Sequence, residues 1–416
     1  MGSDNKAVAP YRGEGRTRPD TDRVIHDLRD YVEKDDQNFV ELLEDSLHKA
    51  RDRAADELSD TLFNALRWPQ DFEAYTDYVA DFLRWIPHQA QDEAWKHLGE
   101  RDQYEQEVFD RLCHFFWLID QDVGDQQDAV IENVDWFRDW LLECARDWGT
   151  FLNTTDSFSE EILESFIKNA PQYRIEESLI DGQPNQPSGW LTFNQFFARE
   201  LNAGLRPIAA RTDNRVIASP ADCSYQQQFE IGEDSTIPGT RIKRSHEYGD
   251  VSELLGHSEY ADAFAGGTFV HYALPPSAYH RYHVPVSGRV RESFTLDGRA
   301  YLKVSLADGG FNSHDDATTG YEFSQTRGVV VLDTAESPDG DIGLVAAVPV
   351  GMSHVGSINL TAVAGADVAK GEEFGYFLFG GSDMILIFQR DVSPQFDTEG
   401  GFRLFGSEIG RCDLRS

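Results

Sequence analysis

Lysine is nearly missing from this sequence. Only 8 of the 37 basic residues are Lys and 29 are Arg, against 73 Asp and Glu, which leaves a formal net charge of −36. Positive charge this scarce excludes nucleic acid as a partner, because a polyanionic surface repels phosphates. It also argues against a lasting hold on anionic lipid at low salt. Low lysine with abundant carboxylate is the profile of a protein kept soluble at high ionic strength, where salt screens self-repulsion. The composition therefore predicts a halophilic setting. Cysteine is sparse too. Cys113, Cys144, Cys223 and Cys412 are widely spaced, and no pair has metal-ligand or redox-motif spacing. Reduced thiols and a cytoplasmic location are expected. No run of about 18 apolar residues exists to span a membrane, and the first twenty residues carry no apolar signal-peptide core. Membrane contact is expected to be peripheral at most.

What is present is enough apolar material for a large core. Hydrophobic residues make up 40% of the 416 and aromatics 12%, in a length that suits two domains. After a flexible arm at 1–20 the pattern is helical. Phe72, Tyr75, Val79, Phe82 and Ile86 recur at three- and four-residue steps, bracketed by Pro69 and Pro87. Trp136, Trp140, Cys144 and Trp148 do the same, and Val108 to Ile119 reads as a further helix. Aromatic stripes at this spacing predict packed core. The stretch 171–190 is rich in Pro, Gly, Gln and Asn and reads as a linker. One more helix is expected at Phe193 to Leu201. Beyond it, short β-branched or apolar runs predict strands at Thr268–Tyr272, Val329–Leu332, Leu344–Val350 and Met384–Phe388. The predicted fold class is α+β. An all-α N-terminal domain (21–185) precedes a β-rich catalytic domain (186–416).

Three stretches carry residues capable of chemistry: SPADC (219–223) with Asp222, AYHRYHVPVSG (278–288) with His280 and His283, and GYFLFGGSDMILIF (375–388) with Ser382. Ser382 follows Gly380 and Gly381, which accept unusual backbone angles and allow close approach. That suits a hydroxyl that attacks the carbonyl before it. A plain glycine turn reads the same way, and Gly-Ser occurs four times, at 2–3, 356–357, 381–382 and 406–407. His280 and His283 have HxxH spacing, but Pro275, Pro276 and Pro285 disfavour the helix a zinc pair needs, so no metal is expected. Asp, His and Ser far apart in sequence can converge as a charge-relay set; spacing alone does not show it.

Together these stretches resemble the phosphatidylserine decarboxylase family. FNQFFARELNAGLRPI (193–208) is similar to its opening motif, VIASPADC (216–223) to its Ser-Pro-x-Asp-Gly segment and IKRSHEYGDVSELLG (242–256) to its Lys…Tyr…Leu-Leu-Gly element. AYHRYHVPVSG is similar to its histidine signature, and GYFLFGGSDMILIF to its cleavage-site strand. The five stand in the family's order. The resemblance implies a proenzyme that cuts itself between Gly381 and Ser382 and converts Ser382 to a pyruvoyl group, its own cofactor. It implies a processing triad of Asp222, His283 and Ser382, with His280 serving decarboxylation. The processed chains would stay associated, and the ketone would form a Schiff base with an amine-bearing carboxylate, its small-molecule partner. Two departures stand out. Cys223 replaces the motif glycine, and Asp383 follows the serine where the family has Thr or Ser, setting a carboxylate beside the forming alkoxide.

The layout, with WGTFLNTTDSF (148–158), resembles a branch with an N-terminal helical extension that includes a fungal tryptophan decarboxylase. A free aromatic amino acid is therefore the favoured substrate, and phosphatidylserine, giving phosphatidylethanolamine, the alternative. PVSGRV (285–290) and ADVAKGEEFGYFLFGG (366–381) also resemble biotinyl/lipoyl hairpins, so a non-enzymatic carrier modified at Lys370 is a second class. A serine hydrolase using Ser382, His283 and Asp222 is a third, although the Gly-x-Ser-x-Gly elbow is absent.

Overall fold

The computed structural model describes residues 18–34, 38–96, 106–124, 130–237, 241–242, 246–247, 249–256, 258–313, 323–352, 358–398 and 401–415. The expected arm lies almost wholly outside them, as do the Gly-Ser pairs at 2–3 and 356–357.

Helices come first. They are α1 (Thr21–Lys34), α2 (Asn38–Glu57), α3 (Asp60–Ala65), α4 (Phe72–Phe82), α5 (Glu107–Trp117), α6 (Asp135–Phe151), α7 (Glu160–Asn169) and α8 (Phe193–Phe197). Several begin at side-chain caps: Asp71 accepts from Ala74 N–H, Ser159 from Ile162 N–H and Thr192 from Gln195 N–H. The aromatic stripes are core. Tyr75, Val79, Phe82, Trp140, Cys144 and Trp148 are all buried. The buried indoles find backbone partners, Trp140 Nε1 on Val24 O at 2.8 Å and Trp148 Nε1 on Trp85 O at 2.9 Å. Three helices stop earlier than their periodicity predicts, among them α5, which closes at Trp117 rather than Ile119. α4 ends at Phe82 rather than Ile86, because Pro87 disfavours helical backbone at the residue before it. α8 ends at Phe197 rather than Leu201. There the chain turns so that buried Arg199 can donate Nη2 to Tyr173 O at 2.6 Å.

The β-rich half follows. Its strands are β1 (Val216–Ala218), β2 (Cys223–Glu230), β3 (Thr268–Leu274), β4 (Arg281–His283), β5 (Gly288–Leu296), β6 (Arg327–Asp333), β7 (Leu344–Met352), β8 (Ile358–Leu360), β9 (Asp367–Val368), β10 (Glu373–Phe377), β11 (Gly381–Phe388), β12 (Phe402–Arg403) and β13 (Glu408–Arg411). An antiparallel eight-stranded sheet runs β9-β5-β6-β7-β11-β3-β2-β12. A second sheet runs β8-β10-β4, and β13 joins β1 to the pair Gln395–Phe396 in a third.

The large sheet is covered on both faces, so its central strands read as unbroken apolar runs rather than alternations. In β11, Met384, Leu386 and Phe388 join one core with Tyr272 and Val345. Ile385 and Ile387 join another with Val251 and Phe264. The helices build a third core, and β-half residues Leu302, Phe311, Met352 and Phe379 belong to it. Phe379 packs its ring against Trp148, Phe193 and Phe197 at 5.0–5.3 Å. Burying a side chain of that size stabilises by about 1.5–3 kcal/mol. The helical half therefore grips the chain two residues before the Gly381–Ser382 bond.

Candidate active site

Ser382 opens β11, fifth in the large sheet, paired with Gly351 on one side and Leu274 on the other. The turn before it needs glycine, since Gly380 has φ +147°, a region L side chains avoid. Asn194 holds the same turn. Its Oδ1 accepts Phe379 N–H at 3.1 Å, while its Nδ2 donates to Gly149 O and Asn153 Oδ1 on the helical half.

The Ser382 hydroxyl meets His280. Oγ lies 3.2 Å from His280 Nδ1. The other ring nitrogen, Nε2, lies 3.3 Å from the carbonyl of Pro276, which can only accept. Nε2 therefore carries the ring hydrogen, and Nδ1 is free to accept the serine proton. Burial pulls the His280 pKa down to about 3, so the ring is neutral near pH 7. Phe197 stacks on it at 4.0 Å and fixes its plane.

Asp222 and His283 form an adjacent shell. The SPAD segment is tied to the histidine segment by His283 N–H donating to Pro220 O at 2.7 Å and Ala218 N–H to Pro285 O at 3.1 Å. Phe405 links the two side chains. Its N–H donates to Asp222 Oδ1 at 2.7 Å and its ring stacks on His283 at 3.8 Å. Asp222 Oδ2 accepts from Arg206 at 3.2 Å. Burial pushes the Asp222 carboxyl up, opposed by the Phe405 amide and the Arg206 charge. His283 Nδ1 donates to Gly371 O at 3.1 Å and Nε2 accepts from Tyr279 Oη at 3.2 Å. Burial lowers the His283 pKa to about 4. Of the predicted residues, then, Ser382 and His280 touch. Asp222 and His283 share one shell through Phe405, and both nitrogens of His283 face other partners.

Both departures from the motif find their place. Cys223 begins β2 without positive φ, so this position does not need glycine. Its thiol is pushed up to about 12 by burial. Asp383 lies on the opposite face of β11 from Ser382, because strand side chains alternate. There its Oδ2 meets His271 Nε2 at 2.9 Å, with both side chains fully buried. Lys370 is also inside. Its Nζ donates to the carbonyls of Ala210, Asp213 and Val216, which removes it as an accessible carrier lysine. The two carrier-like stretches do pair, Asp367 with Arg289 and Val368 with Gly288. Among the described residues no group of three or more His, Cys, Asp or Glu could hold a metal ion.

Four contributors escaped the sequence reading. Asn194 and Arg206 lie inside the 193–208 motif, and His271 was legible as the one ionisable imidazole in an apolar strand. Phe405 carries no local signal; its role comes from contacts 183 residues away. Ser382 also lines a cavity of about 590 Å³, walled by Pro275, Pro276 and Met352 from the β half and by Phe109, Leu112 and Tyr173 from the helical half.

Comparison with known proteins follows the same segments. The family described as phosphatidylserine decarboxylase matches residues 193–411. The phosphatidylserine decarboxylase proenzyme 2 of Oryza sativa subsp. japonica is 34% identical over 212 residues, covering 50% of this chain and 31% of that protein. Decarboxylase iboD of Amanita muscaria is 30% identical over 263 residues, 58% of this chain and 73% of that one. The phosphatidylserine decarboxylase proenzyme of Anoxybacillus flavithermus is 30% identical over 272 residues, 64% of this chain and 90% of the relative. The match thus spans less than a third of the rice protein's length but most of the bacterial one.

Proposed function

The chain belongs to the phosphatidylserine decarboxylase family, and from that footing we propose that it is a proenzyme that cuts itself at Gly381–Ser382 and then decarboxylates a small amine-bearing carboxylate. The contact between Ser382 Oγ and His280 Nδ1 at 3.2 Å carries this reading. A neutral histidine takes the serine proton, and Oγ attacks the Gly381 carbonyl. The C–N bond breaks as the proton passes to the Ser382 nitrogen, leaving an ester. Loss of the Ser382 Cα proton then expels the Gly381 carboxylate and leaves dehydroalanine, which takes up water and releases ammonia to give the pyruvoyl ketone. Such a group supplies an electron sink for the pair left behind by departing CO₂. The residues fit its formation: the serine is held in a buried strand end, with a neutral base beside it and the cavity before it.

His280 is the base that the uncut geometry offers. The family resemblance gives cutting to His283 with Asp222, which would require His283 Nε2 to leave Tyr279 for Ser382. Intact-mass analysis separates these assignments. Two chains are expected, 1–381 and a pyruvoyl-blocked 382–416 of 35 residues. Ser382→Ala should give one full-length mass. Loss of cutting in His280→Ala with cutting retained in His283→Ala supports the contact seen here; the reverse supports the triad. A single full-length mass for the wild-type chain refutes self-cleavage.

The favoured substrate is a free amino acid. A cavity of about 590 Å³ walled by the helical half supports it, being within the range of about 300–1,000 Å³ of small-molecule pockets. No described helix is long and apolar enough to cross a membrane. Phosphatidylserine is the alternative, favoured by the relatives' names. CO₂ release from free amino acids, compared with CO₂ release from phosphatidylserine vesicles, decides between them; turnover of the vesicles alone would overturn the amino-acid reading.

A further inference from the structure

Lys370 is a buried cation that the chemistry described above does not use. Its side chain is 0% exposed, and three backbone carbonyls take the hydrogens of its ammonium: Ala210 O at 2.9 Å, Asp213 O at 2.5 Å and Val216 O at 2.6 Å. An ammonium has three donors, so the set is complete. Burying a charge is costly unless its hydrogens are placed. Those carbonyls belong to the segment that runs through β1 and on to Asp222.

The backbone of Lys370 lies in the tight turn between β9 and β10. Its N–H donates to Ser287 Oγ at 3.0 Å, and Gly371 N–H donates to Val284 O at 2.8 Å. Val284 N–H returns to Glu372 O at 2.8 Å. Gly371 has φ +84°, and a Cβ there would stand 2.6 Å from the Ile208 side chain, so the turn requires glycine. The carbonyl of that glycine accepts His283 Nδ1–H at 3.1 Å. In a charge relay a carboxylate takes the Nδ1 hydrogen and leaves Nε2 as the base. Here Gly371 O stands in that place, while Phe405 and Arg206 engage Asp222. The partner on one ring nitrogen sets the tautomer of the other. A carbonyl carries no net charge, so its hold on the tautomer depends on where it is held.

We infer that Lys370 is a positioning residue for His283: its ammonium ties the Lys370–Gly371 turn to the segment that leads to Asp222, and so keeps the Gly371 carbonyl on Nδ1 and the lone pair on Nε2. This rests on His283 serving the self-processing decarboxylase proposed above. It gives a task to the lysine of the carrier-like stretch, which is turned inward and acts through the histidine.

Imidazole nitrogen NMR of the full chain carrying Ser382→Ala reads the tautomer without relying on self-cleavage. Near pH 7 His283 is neutral, its pKa lowered by burial to about 4. Its signal, identified by its loss in His283→Gln, should show the hydrogen on Nδ1. Adding Lys370→Met should move at least about half of the population to the Nε2–H form. With Ser382 intact, Lys370→Met should slow by at least about tenfold the same step that His283→Ala slows, cutting by intact mass or CO₂ release by the processed enzyme. The inference is overturned if His283 keeps its Nδ1 hydrogen in Lys370→Met, if it carries the hydrogen on Nε2 from the start, or if the two variants do not impair the same step. Should Lys370→Met fail to fold by circular dichroism, Lys370→Gln, which keeps two donors without the charge, decides by the same spectrum. A wild-type chain that stays uncut would refute self-cleavage, and the spectrum of the Ser382→Ala chain would still judge the tautomer.

Discussion

Asp383 follows Ser382 directly in β11 and is fully buried. A carboxylate next to the reacting serine should oppose an alkoxide, yet strand alternation turns it to the other face, against His271 at 2.9 Å. The same geometry makes His271 important to stability. Removing one partner of a buried ionisable pair is costly. His271→Ala should lower unfolding free energy by about 3–5 kcal/mol, measured by urea denaturation of the Ser382→Ala chain so that only one species is present. A change below about 1 kcal/mol would mean that other contacts already compensate Asp383.

At the scale of elements, the site depends on a latch between the helical half and the cleavage turn. α8 presents Asn194, whose amide spans Phe379 on one side and Gly149 and Asn153 of the α6 end on the other. Each such bond contributes about 0.5–1.5 kcal/mol, but their joint effect is to fix where Gly380 and Gly381 lie before Ser382. Asn194→Ala should therefore slow the appearance of the 35-residue chain in timed intact-mass samples more than it lowers the melting temperature. Unchanged cutting with a large melting shift would reduce Asn194 to a packing residue. Periodicity foretold α4 and the central strands but missed three helix ends, at Phe82, Trp117 and Phe197. Pro87 and the inward turn of Arg199 overrode the pattern, and the second of these is a tertiary effect that no local window contains.

For the whole molecule, charge is the dominant feature. A net charge of −36 must repel itself in dilute buffer. Raising salt from 0.1 M to 1 M shortens the screening length from about 10 Å to about 3 Å. The melting temperature should rise steadily over that range in KCl, and a flat profile in differential scanning fluorimetry would count against a halophilic setting. Against that overall charge, none of the described residues lining the Ser382 cavity is acidic.

The order of helices before strands, the aromatic core stripes and the three segments that carry Asp222, the histidines and Ser382 were all legible in the chain's one-dimensional pattern. Those signals are local: side-chain period, caps, turn residues and short motifs survive in one dimension. Which histidine meets the serine depends on folding, since His280 and Ser382 are 102 residues apart. Folding also decided that Phe405, rather than a direct bond, joins Asp222 to His283. Finally, it set the ammonium of Lys370 on carbonyls of the segment that leads to Asp222. Each outcome turns on how separate elements pack and which lone pairs find partners, and no spacing in the chain encodes that.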